Sequence, residues 1–372
     1  MEFLPRTLGT RPRLACELRA EGVVAARAED ASAQLSAVSR VPLPDPAADR
    51  TATVSALRKA LEAVTLRSRE ATLIVPDSAV RVLLLDFDAL PSKPAEALPI
   101  VRFRLKKLLP FDADDAAVSF QIMATSKGSV SVVAVAMPHD VLADHEAMVR
   151  EAGFEPGAVL PSTLAATAGL PVDESPVLIV SAGHQGVTTA IVKAGLLLLH
   201  RTVDLGADLR ADQNLIDRTP AHIPASQPPL APVFVSAGGV EVAIENEGGA
   251  ESLITEKSYL TFAEVNDLLP GDITAPDELD HLMTTTSEIA QAVSVAAAYF
   301  EDTLQTTPRV VLAAGTLGAD ALAAVLEQAG VGPVRVVEMV DATMLGPGAG
   351  TIGSAGRVPL GWLAGVRGAL TA

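Results

Sequence analysis

Residues 177–203 read VLIVSAGHQGVTTAIVKAGLLLLHRTV, in which three apolar runs are separated by the glycine-containing turns SAGHQG and KAG. Short apolar runs bounded by turn residues are typical of buried strands. Farther along, residues 287–303 carry apolar side chains at three- and four-residue steps, and residues 309–313 read RVVLA. The segment therefore predicts three strands, then a helix, then a fourth strand.

The same order of elements occurs near the start of the chain. Apolar runs at 14–18, 22–28 and 35–41 precede a helical pattern at 53–66 and a strand-like run at 72–76. The two series are about 165 residues apart, so a duplicated unit explains the length of 372 residues better than two unrelated domains do. We therefore predict an α/β fold in which a duplicated βββαβα unit forms two lobes.

The predicted lobes carry two insertions and a return segment. We expect lobe 1 at residues 1–172, lobe 2 at 173–345 and, at 346–372, a segment that packs back on lobe 1. An inserted subdomain at about 86–154 combines helical and strand patterns, and a second insertion at about 208–286 begins with a proline-rich stretch. Because proline interrupts helices and central strands, the start of the second insertion predicts an irregular loop.

The composition excludes several classes of protein. The formal net charge is −17, and an acidic surface repels phosphate backbones, so we expect no nucleic-acid partner. Cys16 is the one cysteine, which excludes an internal disulfide and argues against a cysteine-based metal site. The first residues lack a signal-peptide pattern, and no run reaches the roughly 20 apolar residues that span a bilayer. We therefore expect a cytoplasmic protein that reaches a membrane only through a partner.

Five short segments recur in a characteristic order along the chain. They are LPFD at 109–112, VVAVAMP at 132–138, RTVDLG at 201–206, VLAAG at 311–315 and GWLAGVRG at 361–368. The duplicated unit is similar to the actin-like fold of sugar kinases and chaperone ATPases. Within that fold, the five segments resemble those of PilM, a family of type IV pilus assembly, and the cytoplasmic domain of GspL in type II secretion shares the same plan.

The resemblance implies a nucleotide site between the lobes, where two glycine hairpins hold the phosphates and a carboxylate on each hairpin supports Mg²⁺. The residues at the matching positions are Glu17, Arg19, Ser181, Gly183 and Gly315. Ser181 replaces one of the two carboxylates, and Arg19 puts a long side chain where the family has a glycine. We therefore expect a degenerate site with no catalytic residue and no resident metal, in which ATP with Mg²⁺ binds weakly if at all.

Two other interpretations of Glu17 and Arg19 remain open. The Arg19 guanidinium could grip an anion at the place of the phosphates, because its planar fork suits bidentate contacts. Alternatively, both side chains could simply point outward from an alternating strand. The sequence does not choose between these two arrangements and the blocked pocket.

The resemblance also implies a partner. PilM proteins bind the short cytoplasmic tail of the membrane protein PilN, an extended peptide with an apolar core, which implies a groove beside lobe 1. Further expected partners are the motor platform and other copies of the chain. The predicted groove residues are Leu83, Leu85, Phe87, Val101, Leu105, Leu108, Val118 and Phe120. The alternatives are an active actin-like ATPase and a GspL-like component of type II secretion.

Overall fold

The computed structural model describes residues 12–29, 34–43, 49–205, 276–331, 334–346 and 358–371. Nearly all of them belong to one compact unit, Met1–Gly206 with Leu279–Ala372, and the second unit is Ala207–Glu278. The predicted insertion at 208–286, with its prolines between 220 and 232, lies outside the described residues as far as residue 275. The predicted domain boundaries therefore stay a prediction.

The first half of the chain contains eight strands and four helices among the described residues. They are β1 Leu14–Arg19, β2 Gly22–Ala28, β3 Leu35–Pro42, α1 Arg50–Val64, β4 Glu70–Val75, β5 Arg81–Phe87, α2 Pro94–Leu105, β6 Ala116–Ser126, β7 Ser129–Pro138, α3 His139–Glu151, β8 Glu155–Pro161 and α4 Ser162–Ala168. The second half, as far as it is described, contains β9 Val177–Ala182, β10 Gly186–Lys193, β11 Leu196–Asp204, α5 Pro276–Leu304, β12 Val310–Gly315, α6 Ala319–Gln328, β13 Arg335–Glu338 and α7 Ala364–Thr371.

Two five-stranded sheets repeat one order of strands. The first sheet is ordered β3-β2-β1-β4-β8, and the second is ordered β11-β10-β9-β12-β13. Strand β1 pairs antiparallel with β2 and parallel with β4, and β9 pairs in the same two ways with β10 and β12. This correspondence confirms the predicted α/β fold with its duplicated unit. It also gives equivalent positions to the turn after β1 and the turn after β9.

Helix α1 covers one face of the first sheet. It begins at Arg50, earlier than predicted, because the Asp49 carboxylate accepts the Ala52 N–H at 2.7 Å and so satisfies one of the free donors of the first turn. Leu57 and Leu61 are fully buried and pack with the apolar side chains of β1, β2 and β4. The apolar stripe of α1 therefore covers the face of the sheet that carries Leu14, Cys16 and Leu18.

Helix α5 contributes in the same way to the core of the second sheet and is longer than the sequence pattern indicates. It runs Pro276–Leu304 rather than over 287–303. Threonines at 284–286 obscure the pattern because β-branched residues have low helix propensity, whereas Pro276 favours a first helical position. Val293 and Phe300 are buried against the second sheet. Neither α5 nor another helix in the described ranges is apolar enough over a sufficient length to cross a bilayer.

A three-stranded sheet, ordered β5-β7-β6, forms a smaller layer in the first half. Its strand β5 pairs with β7 from Arg81 onward, so this layer begins somewhat earlier than the predicted insertion. Helix α2 packs on one face and buries Val101 and Leu105 against Leu85. This helix ends at Leu105, whose carbonyl accepts the N–H groups of Leu108 and Leu109 in the turn that follows.

Residues 358–371 return to the first sheet. A 3₁₀ turn, Leu360–Leu363, leads into α7, which packs on α4 and β1. Trp362 and Val366 are buried there. The approach of α7 to α4 is so close that a Cβ on Gly368 would overlap the carbonyl oxygen of Ala165. A glycine is therefore required at this helix crossing.

Candidate functional site

The turn after β1 and the turn after β9 line one cavity of about 70 Å³. The cavity lies between the ends of the first strands of the two sheets, where the predicted nucleotide site falls. Its polar lining combines carboxylates, hydroxyls, one guanidinium, one imidazole and one carboxamide. These groups belong to Glu17, Arg19, Glu21, Asp77, Ser78, Ser162, Ser181, His184, Gln185, Thr188 and Thr202.

The structure brings the predicted nucleotide-site residues together. Glu17, Arg19, Ser181 and Gly183 line the cavity. Gly315 lies at the end of β12 beside Ala182, with φ at +87°, and a Cβ there would overlap the Ala182 backbone. Gly315 is therefore needed for the close approach of β12 and β9. That requirement comes from packing and says nothing on its own about a ligand.

Glu17 is a fully buried carboxylate whose oxygens are both covered. Its Oε1 lies 2.5 Å from Arg19 Nη2 and accepts the Ser162 hydroxyl at 2.5 Å. Its Oε2 faces α7 so closely that a Cβ on Gly365 would lie 2.5 Å away. Burial raises the pKa of Glu17, and Arg19 and the Ser162 hydroxyl oppose that shift. The interpretation in which Glu17 points outward is therefore wrong, because the face of β1 that carries Glu17 is covered by α7.

Arg19 and Arg40 flank the indole of Trp362. The Arg40 guanidinium lies 4.2 Å from the ring centroid, and that of Arg19 lies 5.9 Å from it. Cations over an indole face are attracted by the ring quadrupole, more strongly when they are desolvated. Burial lowers the pKa of Arg40, and the negative charge of Glu21 opposes that shift. Arg19 is thus occupied by Glu17 and the indole rather than directed at a free anion.

Glu21 is the residue that joins the two hairpins, and sequence analysis did not single it out. It sits in the turn between β1 and β2, and its Oε1 accepts the His184 backbone N–H at 2.7 Å and the Thr316 hydroxyl at 2.9 Å. A Cβ on Gly183 would lie 3.1 Å from the same oxygen. The one available signal was an acidic residue directly before the turn glycine, Gly22.

A second buried carboxylate, Asp77, follows β4. Its Oδ1 accepts the Thr163 backbone N–H at 3.0 Å, and its Oδ2 accepts the Thr163 hydroxyl. The Nε2 atom of His200, on β11, lies 4.0 Å from Asp77 Oδ1. Burial lowers the pKa of His200, and Asp77 opposes that shift. Asp77 therefore holds the start of α4 beside the cavity, which places Ser162 against Glu17.

These contacts test whether the cleft fits a magnesium nucleotide. Glu17 would support the metal, but Arg19, Ser162 and Gly365 cover both of its oxygens. The N–H of His184 is the kind of donor that binds phosphate in a hairpin, and Glu21 already accepts it. Within the described ranges, no group of three or more His, Cys, Asp or Glu side chains is placed to hold a metal ion. In this arrangement, the residues present do not fit a magnesium–phosphate group.

The predicted groove residues divide into two groups. Leu85, Val101 and Leu105 are buried in the small core between α2 and the three-stranded sheet, so they support that layer instead of lining an open groove. The others are accessible to different extents. Leu83, Phe87, Val118 and Phe120 are partly buried on the face of the sheet that packs on α2, and Leu108 is exposed.

Sequence comparisons assign only a small part of the chain. A family model described as sigma-70 factor, region 1.1, matches residues 252–292, most of which lie outside the described ranges. A comparison with curated proteins found no match.

Structural comparisons cover between 56% and 96% of this chain. A PilM–PilN type IV pilus biogenesis complex matches with a TM-score of 0.61 at 16% identity, covering 96% of this chain and 98% of that chain. The cytoplasmic domain of EpsL, from the type II secretion system of Vibrio cholerae, matches with a TM-score of 0.37 at 14% identity, covering 56% and 79%. A ROK hexokinase from Thermus thermophilus matches with a TM-score of 0.36 at 13% identity, covering 96% of each chain.

The repeated sheet order, the facing hairpins and the first of these likenesses define an actin-like fold, as predicted. Within that class, the chain is similar over nearly its whole length to the PilM–PilN complex of type IV pilus biogenesis. The predicted resemblance is thereby confirmed at the level of the fold.

Proposed function

We propose that the protein is a cytoplasmic scaffold of type IV pilus assembly that binds the cytoplasmic tail of a PilN-like inner-membrane protein. The observation that carries the proposal is the likeness to the PilM–PilN complex over 96% of this chain. Through that tail, the protein is peripheral to the inner membrane and links the membrane partner to the motor platform. Further copies of the chain would join the same platform.

The proposed docking region is the small layer formed by β5, β6, β7 and α2. An extended peptide places alternate side chains on one side, so its leucines need apolar pockets at matching intervals. Leu83 and Phe87 on β5, with Val118 and Phe120 on β6, supply partly accessible apolar surface on one face.

In this scaffold role, the former nucleotide site does not hydrolyse ATP. Hydrolysis of ATP in this fold needs a positioned metal ion and a positioned water. The ion pair between Glu17 and Arg19 and the serine at position 181 support the absence of that metal. We therefore assign the cleft a structural role in holding the two sheets together.

The proposal is tested with a fluorescent peptide that has the sequence of the cytoplasmic tail of the PilN-like partner and an Asn-Leu-Leu-Pro core. We expect saturable binding to the full chain by fluorescence anisotropy. Phe120→Ala removes an apolar side chain whose burial contributes about 1.5–3 kcal/mol, so the Kd should rise at least about tenfold.

Tyr299→Ala is the matched control, because Tyr299 is a 41% exposed aromatic residue on α5, outside the docking region. It should leave the Kd unchanged. The docking region would be wrong if both variants bind the peptide as the wild type does. The proposed function itself would be wrong if the wild-type chain shows no binding, or if it hydrolyses ATP in the presence of Mg²⁺.

A further inference from the structure

The Glu21 carboxylate lies where two hairpins of the duplicated fold approach each other. Its Oε1 accepts one backbone N–H, from His184, and one hydroxyl, from Thr316. These donors come from the turn after β9 and from the residue that follows β12, so Glu21 connects the first sheet to two elements of the second. The contact therefore crosses the cleft and is not local to either sheet.

The two donors have the chemistry of an anion site. Hairpin N–H groups and a nearby hydroxyl are typical partners of phosphate and carboxylate oxygens. Gly183 leaves room for the Glu21 carboxylate, since a Cβ on Gly183 would lie 3.1 Å from Glu21 Oε1. Glu17, by contrast, is paired with Arg19 and does not reach these donors.

The geometry points to Glu21 as a built-in ligand: its carboxylate occupies an anion site formed by the His184 N–H and the Thr316 hydroxyl, closes the cleft and excludes a free phosphate. The inference rests on the proposed function only in treating the cleft as a former nucleotide site. Removing the carboxylate should then have two effects. It should loosen the contact between the sheets, and it should open a site for a small oxyanion.

The test asks whether inorganic phosphate restores the stability of Glu21→Ala. The readout is the melting temperature of the full chain. Losing two charge-assisted hydrogen bonds should lower the melting temperature by about 2–4 °C in phosphate-free buffer. Phosphate at about 10–20 mM should restore at least about half of that loss through binding to the folded state. The wild type should show no such rise, and sodium chloride of equal ionic strength should not replace phosphate.

Three further variants complete the design. Glu62→Ala removes an exposed glutamate from α1 and serves as the control for lost charge, so its melting temperature should not respond to phosphate. Thr316→Ala removes one donor of the site, so phosphate should rescue the double variant Glu21→Ala/Thr316→Ala less well than the single one. Thr316→Ala alone also tests the contact if Glu21→Ala does not fold, because it should lower the melting temperature of an otherwise intact chain.

Each contrary result overturns the inference separately from the proposed function. An unchanged melting temperature of Glu21→Ala would show that the carboxylate does not hold the sheets together. A lowered melting temperature without rescue, or an equal response to phosphate in Glu62→Ala, would remove the anion site. Binding of the partner peptide is measured independently, so it can succeed or fail whichever of these results is obtained.

Discussion

Replacing Arg19 with alanine would leave Glu17 as a buried carboxylate without its cation. Glu17 is fully buried, and the Arg19 side chain is only 12% exposed, so solvent cannot take over the role of the guanidinium. Breaking a buried ion pair from one side costs about 3–5 kcal/mol. The hydroxyl of Ser162 would still donate to Glu17. We therefore expect the loss of folding free energy to lie at the lower end of this range, at about 3 kcal/mol. For a unit of this size, that is a fall in melting temperature of roughly 4–5 °C.

The stability lost in Arg19→Ala should increase as the pH rises. Burial raises the pKa of Glu17 above its usual value of 4.5, and removing Arg19 raises the pKa further because Arg19 opposes the shift. The folded state then binds the proton more tightly than the unfolded state does. Stability from this group is therefore fully present below pH 4.5 and is lost as the pH rises through the folded pKa. The deficit of Arg19→Ala should be largest near neutral pH and should shrink toward about pH 5.

The measurement is guanidinium-induced unfolding at about pH 7.5 and about pH 5, followed by the fluorescence of Trp362, the one tryptophan of the sequence. Glu17→Gln combined with Arg19→Ala should recover much of the lost stability, because no buried charge remains. Arg50→Ala, which removes surface ion pairs with Asp144 and Glu151, should leave the unfolding midpoint nearly unchanged. An equal deficit at both pH values, or no deficit, would refute the account of the Glu17 carboxylate.

Three further outcomes are expected. Burial raises the pKa of Cys16 to about 12, so this thiol should resist labelling reagents at about pH 8 until denaturant is added, and rapid labelling of the native chain would contradict its burial. Gly368→Ala should lower the free energy of unfolding in guanidinium by more than about 2 kcal/mol, because the new Cβ would overlap α4. Gly330→Ala should lower it by about 1 kcal/mol, because the space there is open and only the φ of +67° is unfavourable. Arg19→Gly should not create ATP turnover with Mg²⁺, because Ser181 is a poor metal ligand, and phosphate release above background would show otherwise.

Most of the fold could be predicted because it depends on periodicity. The apolar runs and glycine turns of 14–28 and 177–203 each specify a hairpin, and the two together indicate the duplication. Element ends were less predictable where capping decides them, as at Asp49, or where polar residues interrupt the pattern, as in α5. Local sequence carries little information about such boundaries, since tertiary packing can extend a helix through residues of low propensity.

The candidate site was predicted in position but not in its contacts. The equivalence of the two hairpins places Glu17, Arg19 and Gly183 around one cavity. Which carboxylate faces which donor depends on how α7 and α4 pack, and those elements come from distant parts of the sequence. The role of Glu21 is the clearest case, because its two partners lie 163 and 295 positions away along the chain.

Helix α7 also has a consequence for biosynthesis. The strands β1 to β4 leave the ribosome early, whereas the segment that shields Glu17 and carries Trp362 is translated after both hairpins and helix α5. Contacts between remote parts of a chain form slowly and leave apolar surface open in the meantime. The face of the first sheet that carries Glu17 therefore stays uncovered by α7 until residues 358–371 have been synthesised.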